Sequence, residues 1–266
     1  DGNICYLSEY LDETVADDVK DGCLEELRTQ RRIFIARFAE KYRNVDLTET
    51  VSMYSIFDLS PYDKLDGLEI DEKQDNFNHL TADLQKAGEY ALAERLAQEN
   101  ESIRRELKSF YKVLPRCVFQ GDENFSNLCV DENRRISGLF DFNMSGTEVI
   151  ANYLANAAMN FFYTDEIMQS RSADEIYRML TKAYAESTEL IRKYYNFTPQ
   201  EFRAYRLYSK IAMYFADLSP HFFRSAVRRE IPPPRFSTEA ERLSPRTVPA
   251  PKTPKKRMCS SRQKHR

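Results

Sequence analysis

Three oxygen-bearing side chains, Asp122, Asn127 and Asp141, are spaced so that they can meet. They belong to the run Gln120-Gly121-Asp122-Glu123-Asn124-Phe125-Ser126-Asn127, followed by Leu128-Cys129-Val130 and by Gly138-Leu139-Phe140-Asp141-Phe142-Asn143. Asp122 and Asn127 stand five apart on a loop-like stretch, and Asp141 follows an apolar run fourteen residues later. Leu128–Val130 and Ile136–Phe140 read as two short strands around the turn Asp131-Glu132-Asn133. A hairpin carries the end of its second strand back beside the start of its first, so the three groups can converge. Hard cations choose carboxylate and amide oxygens, and a carboxylate can orient a hydroxyl and take its proton. Phosphoryl transfer needs such a set, with metal ions on the phosphate oxygens and a base at the attacking hydroxyl.

An Asp, an Asn five residues on and a second Asp beyond a hairpin is also the order of parts in kinases. The segment resembles the aminoglycoside phosphotransferase and choline kinase group within the protein-kinase-like fold. That group shows a His-Gly-Asp loop, an Asn five residues after the Asp, and an Ile-Asp-Phe-type metal strand. The match falls on Gly121, Asp122, Asn127, Asp141 and Phe142. The resemblance implies an α+β, protein-kinase-like fold, mainly the helical C-terminal lobe with a short catalytic β-hairpin. It implies Asp122 as catalytic base, Asn127 and Asp141 as Mg²⁺ ligands, and ATP or GTP as phosphoryl donor. It makes Tyr6 to Leu11 the last strand of the small lobe and the hinge, with the backbone of Glu9 and Leu11 at the nucleotide. The likeness extends over roughly residues 4 to 229. Two positions depart from it. The group's His is Gln120, whose amide can buttress the loop by hydrogen bonding, and an Asp common in the helix after the metal strand is Asn152.

Those residues need elements to hold them. Ile4 to Leu11 is β-prone and runs into a polar connection, Asp12-Glu13-Thr14. A helix begins after Gly22, with Leu24, Leu27, Ile33, Ile35 and Phe38 around it. Residues 78 to 110 form a helical stretch with Leu80, Leu84, Ala91, Leu92 and Leu96 along one side. Cys117-Val118-Phe119 is a short apolar run, and after Gly146 the pattern returns to helix. Two capping boxes mark helix starts, Ser172 with Glu175, and Thr198 with Pro199 and Glu201. Ile176, Leu180, Ala183, Leu190 and Ile191 supply the buried face between them. The organisation is a strand and hinge over 1–12, a helical lobe over 13–230, and a basic, Pro-rich tail over 231–266 expected to be disordered.

Composition narrows the function classes. At 42% hydrophobic and 30% charged the chain can bury a core, and no run of eighteen apolar residues exists to span a membrane. Five scattered cysteines without a CxxC pair argue against a disulfide framework or a zinc site and fit a cytoplasmic protein. The tail carries ten Lys/Arg against Glu239 and Glu241, net +8, which leaves −11 on the body for the overall −3. An acidic body speaks against nucleic acid as the main partner and suits a small, cationic hydroxyl acceptor. The seven glycines form neither GxGxxG nor a Walker A loop, and the chain starts at the expected hinge without Met. A kinase truncated at its N-terminus is therefore expected. The competing expectation is a non-catalytic pseudokinase or binding module of the same fold, favoured by Gln120, Asn152 and the lack of a phosphate-gripping loop.

Overall fold

The computed structural model describes residues 13–46, 51–52, 54–58, 72–159 and 172–215. The expected strand over 4–11, the hinge residues Glu9 and Leu11, and the tail from Ile231 lie outside them. Thr14, read from sequence as connection, instead forms with Val15 a two-residue strand, β1, paired antiparallel to Val130 and Cys129. The predicted hairpin is present as β3 (Leu128–Val130) and β4 (Ile136–Leu139), with Leu128 opposite Leu139 and Cys129 opposite Gly138. Its turn is held by Asp131, whose Oδ1 accepts from the backbone N–H groups of Asn133 (2.8 Å) and Arg135 (2.9 Å). Strands β1, β3 and β4 make one small antiparallel sheet.

A second pair of strands corrects the sequence reading. Gly146–Val149 does not enter the helix directly; it forms β5, antiparallel to β2 (Arg116–Phe119), with Phe119 opposite Gly146. The run Gly146-Thr147-Glu148-Val149 has no helical period and supplies β-branched residues, which suit a buried strand. This ribbon joins the two ends of the chemistry-bearing stretch. Gln120 leaves from β2, and the chain beyond Asp141 returns through β5.

The helices form around it. Between α1 (Ala16–Val19) and β3, the buried side chains of Ala16, Leu27, Leu128 and Val130 pack together, with Phe125 and Leu139 partly buried against them. Leu27 comes from α2 (Leu24–Lys41), whose buried residues Leu27, Arg31, Ile35 and Ala39 recur every four positions. The stretch from 78 to 110 is two helices, α3 (Glu72–Lys86) and α4 (Tyr90–Lys108). Gly88 breaks them at φ +85°, while Gly88 N–H donates to Gln85 O and Glu89 N–H to Leu84 O, closing the last turn of α3. The break rotates the face, so Leu92, Ala93 and Leu96 are buried and Ala91 is exposed.

The helix α5 (Ile150–Met159) is buried along nearly its whole length and packs on α7 (Pro199–Phe215). Between them in sequence lies α6 (Ala173–Tyr194), and both predicted capping boxes are formed. Ser172 N–H donates to Glu175 Oε2 (2.8 Å), and Thr198 N–H donates to Glu201 Oε2 (2.8 Å) with Glu201 N–H returning to Thr198 Oγ1 (3.2 Å).

Glu201 does more than cap α7. Its carboxylate is 2% exposed and accepts from Arg43 Nη1 (2.8 Å) and Tyr195 O–H (2.5 Å), tying α2 to the α6–α7 corner. Burial pushes its pKa up, but the Tyr195 and Thr198 hydrogen bonds and the Arg43 charge outweigh this and hold it below the ordinary 4.5. Its contribution to stability is therefore present above that value and lost as pH falls through the folded pKa. Glu201→Gln is expected to lower stability by about 2 kcal/mol near neutral pH. Denaturant unfolding at pH 7 and pH 3.5 checks this, since the gap between wild type and variant should shrink at the lower pH.

Candidate active site

The loop after β2 begins with Gln120, 4% exposed, and its side chain spans the site. Gln120 Nε2 donates to the carbonyls of Phe140 (2.9 Å) and Asp141 (2.5 Å), while its Oε1 accepts from Asp122 N–H (2.6 Å). One amide thus uses two donors and an acceptor to join the loop of Asp122 to the strand end of Asp141. This is the buttressing expected of Gln120 from sequence. A His here has two ring nitrogens for the three contacts, so Gln120→His should cost about 1 kcal/mol in stability. Gln120→Ala should cost more and misplace both loops, which thermal melts of the two variants would rank.

The next residue explains its own type. Gly121 has φ +91°, and a Cβ there would lie 2.3 Å from the carbonyl oxygen of Met144. Only glycine allows both this backbone conformation and this approach. The loop and the segment after Asp141 are consequently in backbone contact.

Asp122 and Asn127 are brought together. Asn127, 7% exposed, donates from Nδ2 to Asp122 Oδ2 (2.9 Å) and to the Asp122 carbonyl (2.9 Å). Asn124 Nδ2 donates to the other carboxylate oxygen, Asp122 Oδ1. With its NH₂ committed, Asn127 has its amide oxygen left for another partner. Phe140 N–H donates to the Asn127 carbonyl (3.1 Å), which sets Asp141 one residue beyond that bond. Asp141 itself is in the left-handed region, φ 59° and ψ 71°, one that Asp tolerates better than most residues. Its carboxylate is exposed and makes no hydrogen bond or ion pair among the described residues. The loop of Asp122 and Asn127 and the strand end before Asp141 are therefore adjacent in backbone.

The residues on hand fit a hard divalent cation in one specific way. No cluster of three or more His, Cys, Asp or Glu that could hold a metal forms among the described residues. Among the described residues the Asn127 amide oxygen and the Asp141 carboxylate are left without a hydrogen-bond partner, and their chemistry is that of hard-cation donors. Mg²⁺ accepts such a sparse set because it keeps waters and takes phosphate oxygens from substrate.

Three members of the neighbourhood were not singled out from sequence. Glu123 accepts from Tyr153 O–H, and its carbonyl accepts from Arg31 Nη1 (3.2 Å). Burial pushes the Glu123 carboxyl up, with the Tyr153 hydrogen bond and the Arg31 charge acting the other way. Burial likewise lowers the Arg31 pKa against the pull of Glu123, and raises that of Tyr153. A signal did exist for Arg31, a cation at the fourth-residue step between Leu27 and Ile35 on an otherwise apolar stripe. Asn152, the second departure, faces elsewhere. Its Nδ2 donates to Tyr54 O (2.8 Å), and its Oδ1 accepts from Asn156 Nδ2 (3.0 Å) and Lys73 Nζ (3.4 Å). None of these bonds reaches the loop of Asp122.

Comparison with known proteins decides the family. Residues 5–189 match the model of the phosphotransferase enzyme family, APH. The chain belongs to this family. The phosphotransferase family has the protein-kinase-like fold, and the helices with two small antiparallel sheets agree with that α+β class. The match includes the whole of Gln120 to Gly146. No curated protein and no solved structure matches the chain. Among the described residues, no helix is long and apolar enough to cross a membrane.

Proposed function

We propose that this phosphotransferase-family chain carries the base and metal half of a site that moves the γ-phosphoryl group of ATP to a hydroxyl of a small molecule. The observation that supports this best is the Gln120 brace, because it places the Asp122 loop and the Asp141 strand end as one unit. In this reading Asp122 orients the acceptor hydroxyl and takes its proton as the oxygen–phosphorus bond forms. The bond between the γ-phosphorus and the bridging oxygen breaks, and ADP leaves. Asn127 Oδ1 and the Asp141 carboxylate would hold Mg²⁺, which when bound neutralises charge on the phosphate oxygens. Asn127 would contribute twice, since the amide whose oxygen would hold the cation also holds Asp122 Oδ2 with its nitrogen. The acceptor is of the aminoglycoside, amino-alcohol or sugar class, and the acidic body suits a cationic member of it. Localisation in the cytoplasm, where ATP is available, belongs to the same reading.

A second reading, a non-catalytic member of the fold, draws support from Asn124. Its amide sits on Asp122 Oδ1, so both oxygens of the carboxylate already accept a hydrogen bond from within the loop. Calorimetric titration with MgATP separates the two. Binding, followed by transfer of labelled γ-phosphoryl to an aminoglycoside, choline or a hexose, supports the first. No binding at millimolar MgATP supports the second.

A further inference from the structure

Beside Asp122 sits an acid that the proposed reaction does not use. Glu123 is held from two helices at once, through its carboxylate by Tyr153 of α5 and through its carbonyl by Arg31 of α2. Both partners are fixed. Tyr153 is 3% exposed, lies flat on Phe119 with ring centroids 3.8 Å apart and planes 5° apart, and meets the edge of Tyr54 at 5.7 Å. Phe119 immediately precedes Gln120, so the ring that holds Glu123 is stacked on the strand that launches the loop. Arg31 is 7% exposed, and its Nε is buried without a hydrogen-bond partner among the described residues.

We propose that Glu123, clamped by Tyr153 and Arg31, is a positioning residue that fixes the Asp122 carboxylate. The proposal rests on the reading of Asp122 as the base. On its N-terminal side Asp122 is pinned by Gln120 Oε1, and its carbonyl is engaged by Asn124 N–H (2.8 Å). Without Glu123 the C-terminal side would be anchored only from its own loop, by Asn124 and Asn127. A carboxylate drawn out of water needs hydrogen bonds and charge to compensate it. Tyr153 supplies the hydrogen bond and Arg31 the charge. An Arg held among buried groups is a poor choice for packing alone, but its charge acts on Glu123 against the repulsion from neighbouring Asp122. Misplacement of a reacting group by about 1 Å can cost on the order of a hundredfold in rate, which gives such a clamp its purpose.

Tyr153→Phe tests this with little change in packing, since the stacked ring remains. In the full chain, the side-chain amide resonances of Asn124 and Asn127 report directly on the Asp122 carboxylate, and Asp122→Asn calibrates how far they can move. Tyr153→Phe and Glu123→Ala should shift both resonances by a sizeable part of the Asp122→Asn change, and Glu123→Gln should restore most of what Glu123→Ala loses. Turnover of MgATP with the aminoglycoside, choline or hexose should fall roughly tenfold in kcat for Tyr153→Phe with KM for ATP little changed. Unmoved Asn124 and Asn127 resonances in Tyr153→Phe and Glu123→Ala overturn the proposal, whatever the turnover. Full turnover by Asp122→Asn would instead refute the base assignment, a separate failure that the resonances do not share.

Discussion

Asp122→Ala is expected to lower phosphoryl transfer by about a thousandfold, roughly 4 kcal/mol of transition-state stabilisation. Two losses combine. On the proposed role the attacking hydroxyl loses the group that takes its proton, and Asn127 loses an acceptor for its amide nitrogen. Asp122→Asn should be nearly as damaging although it keeps the shape. It cannot take a proton, and its amide can bring donors against those of Asn124 and Asn127. The effect is expected in kcat, with KM for ATP within a few-fold of wild type, because a base in the proposed role would touch the acceptor and not the nucleotide. Steady-state kinetics alongside a melting curve checks it. A folded Asp122→Ala protein within threefold of wild type would remove Asp122 from the mechanism.

Gly121→Ala should have the next largest effect, and by a different route. A side chain at φ +91° costs about 1–2 kcal/mol before any contact is considered. The new Cβ would also lie 2.3 Å from Met144 O, a backbone atom that cannot rotate away. Relief requires the loop and the segment after Asp141 to separate, and that motion pulls on all three Gln120 bonds. A stability loss of about 3 kcal/mol is expected, together with a fall in rate of at least a hundredfold at temperatures where the variant remains folded. Chemical denaturation and single-turnover kinetics measure the two effects. A variant with wild-type stability would mean that Met144 does not lie against Gly121.

The legible parts of the site were those encoded within a short stretch of chain. The hairpin could be read because Leu128–Val130 and Ile136–Leu139 flank a turn with Asp131 at its start. The capping boxes at Ser172 and Thr198 could be read because cap and partner lie three residues apart. Gln120's role followed from the chemistry of an amide replacing an imidazole. What escaped depended on distant parts of the sequence. Nothing local in Gly146–Val149 says that it pairs with residues 116–119, since its partner strand lies some thirty positions earlier. The split at Gly88 was missed because a single glycine in a helix-rich stretch is equally compatible with a weak point inside one helix. The Arg31–Glu123–Tyr153 contact joins three segments across more than a hundred residues, and its ends are an ordinary-looking cation, acid and aromatic. Only the break in the apolar stripe at Arg31 marked one of them.

The most direct test of a base and metal site at these loops needs no knowledge of the acceptor. Mn²⁺, a paramagnetic stand-in for Mg²⁺, can be titrated with ATP into the isotopically labelled protein while the Asn127 side-chain amide is followed. Broadening of Asn127 and of the Gln120 amide at low Mn²⁺, lost in Asp141→Asn while that variant stays folded, is the result predicted by the joined loops. Broadening confined to other parts of the chain, and the same in wild type and Asp141→Asn, would contradict it.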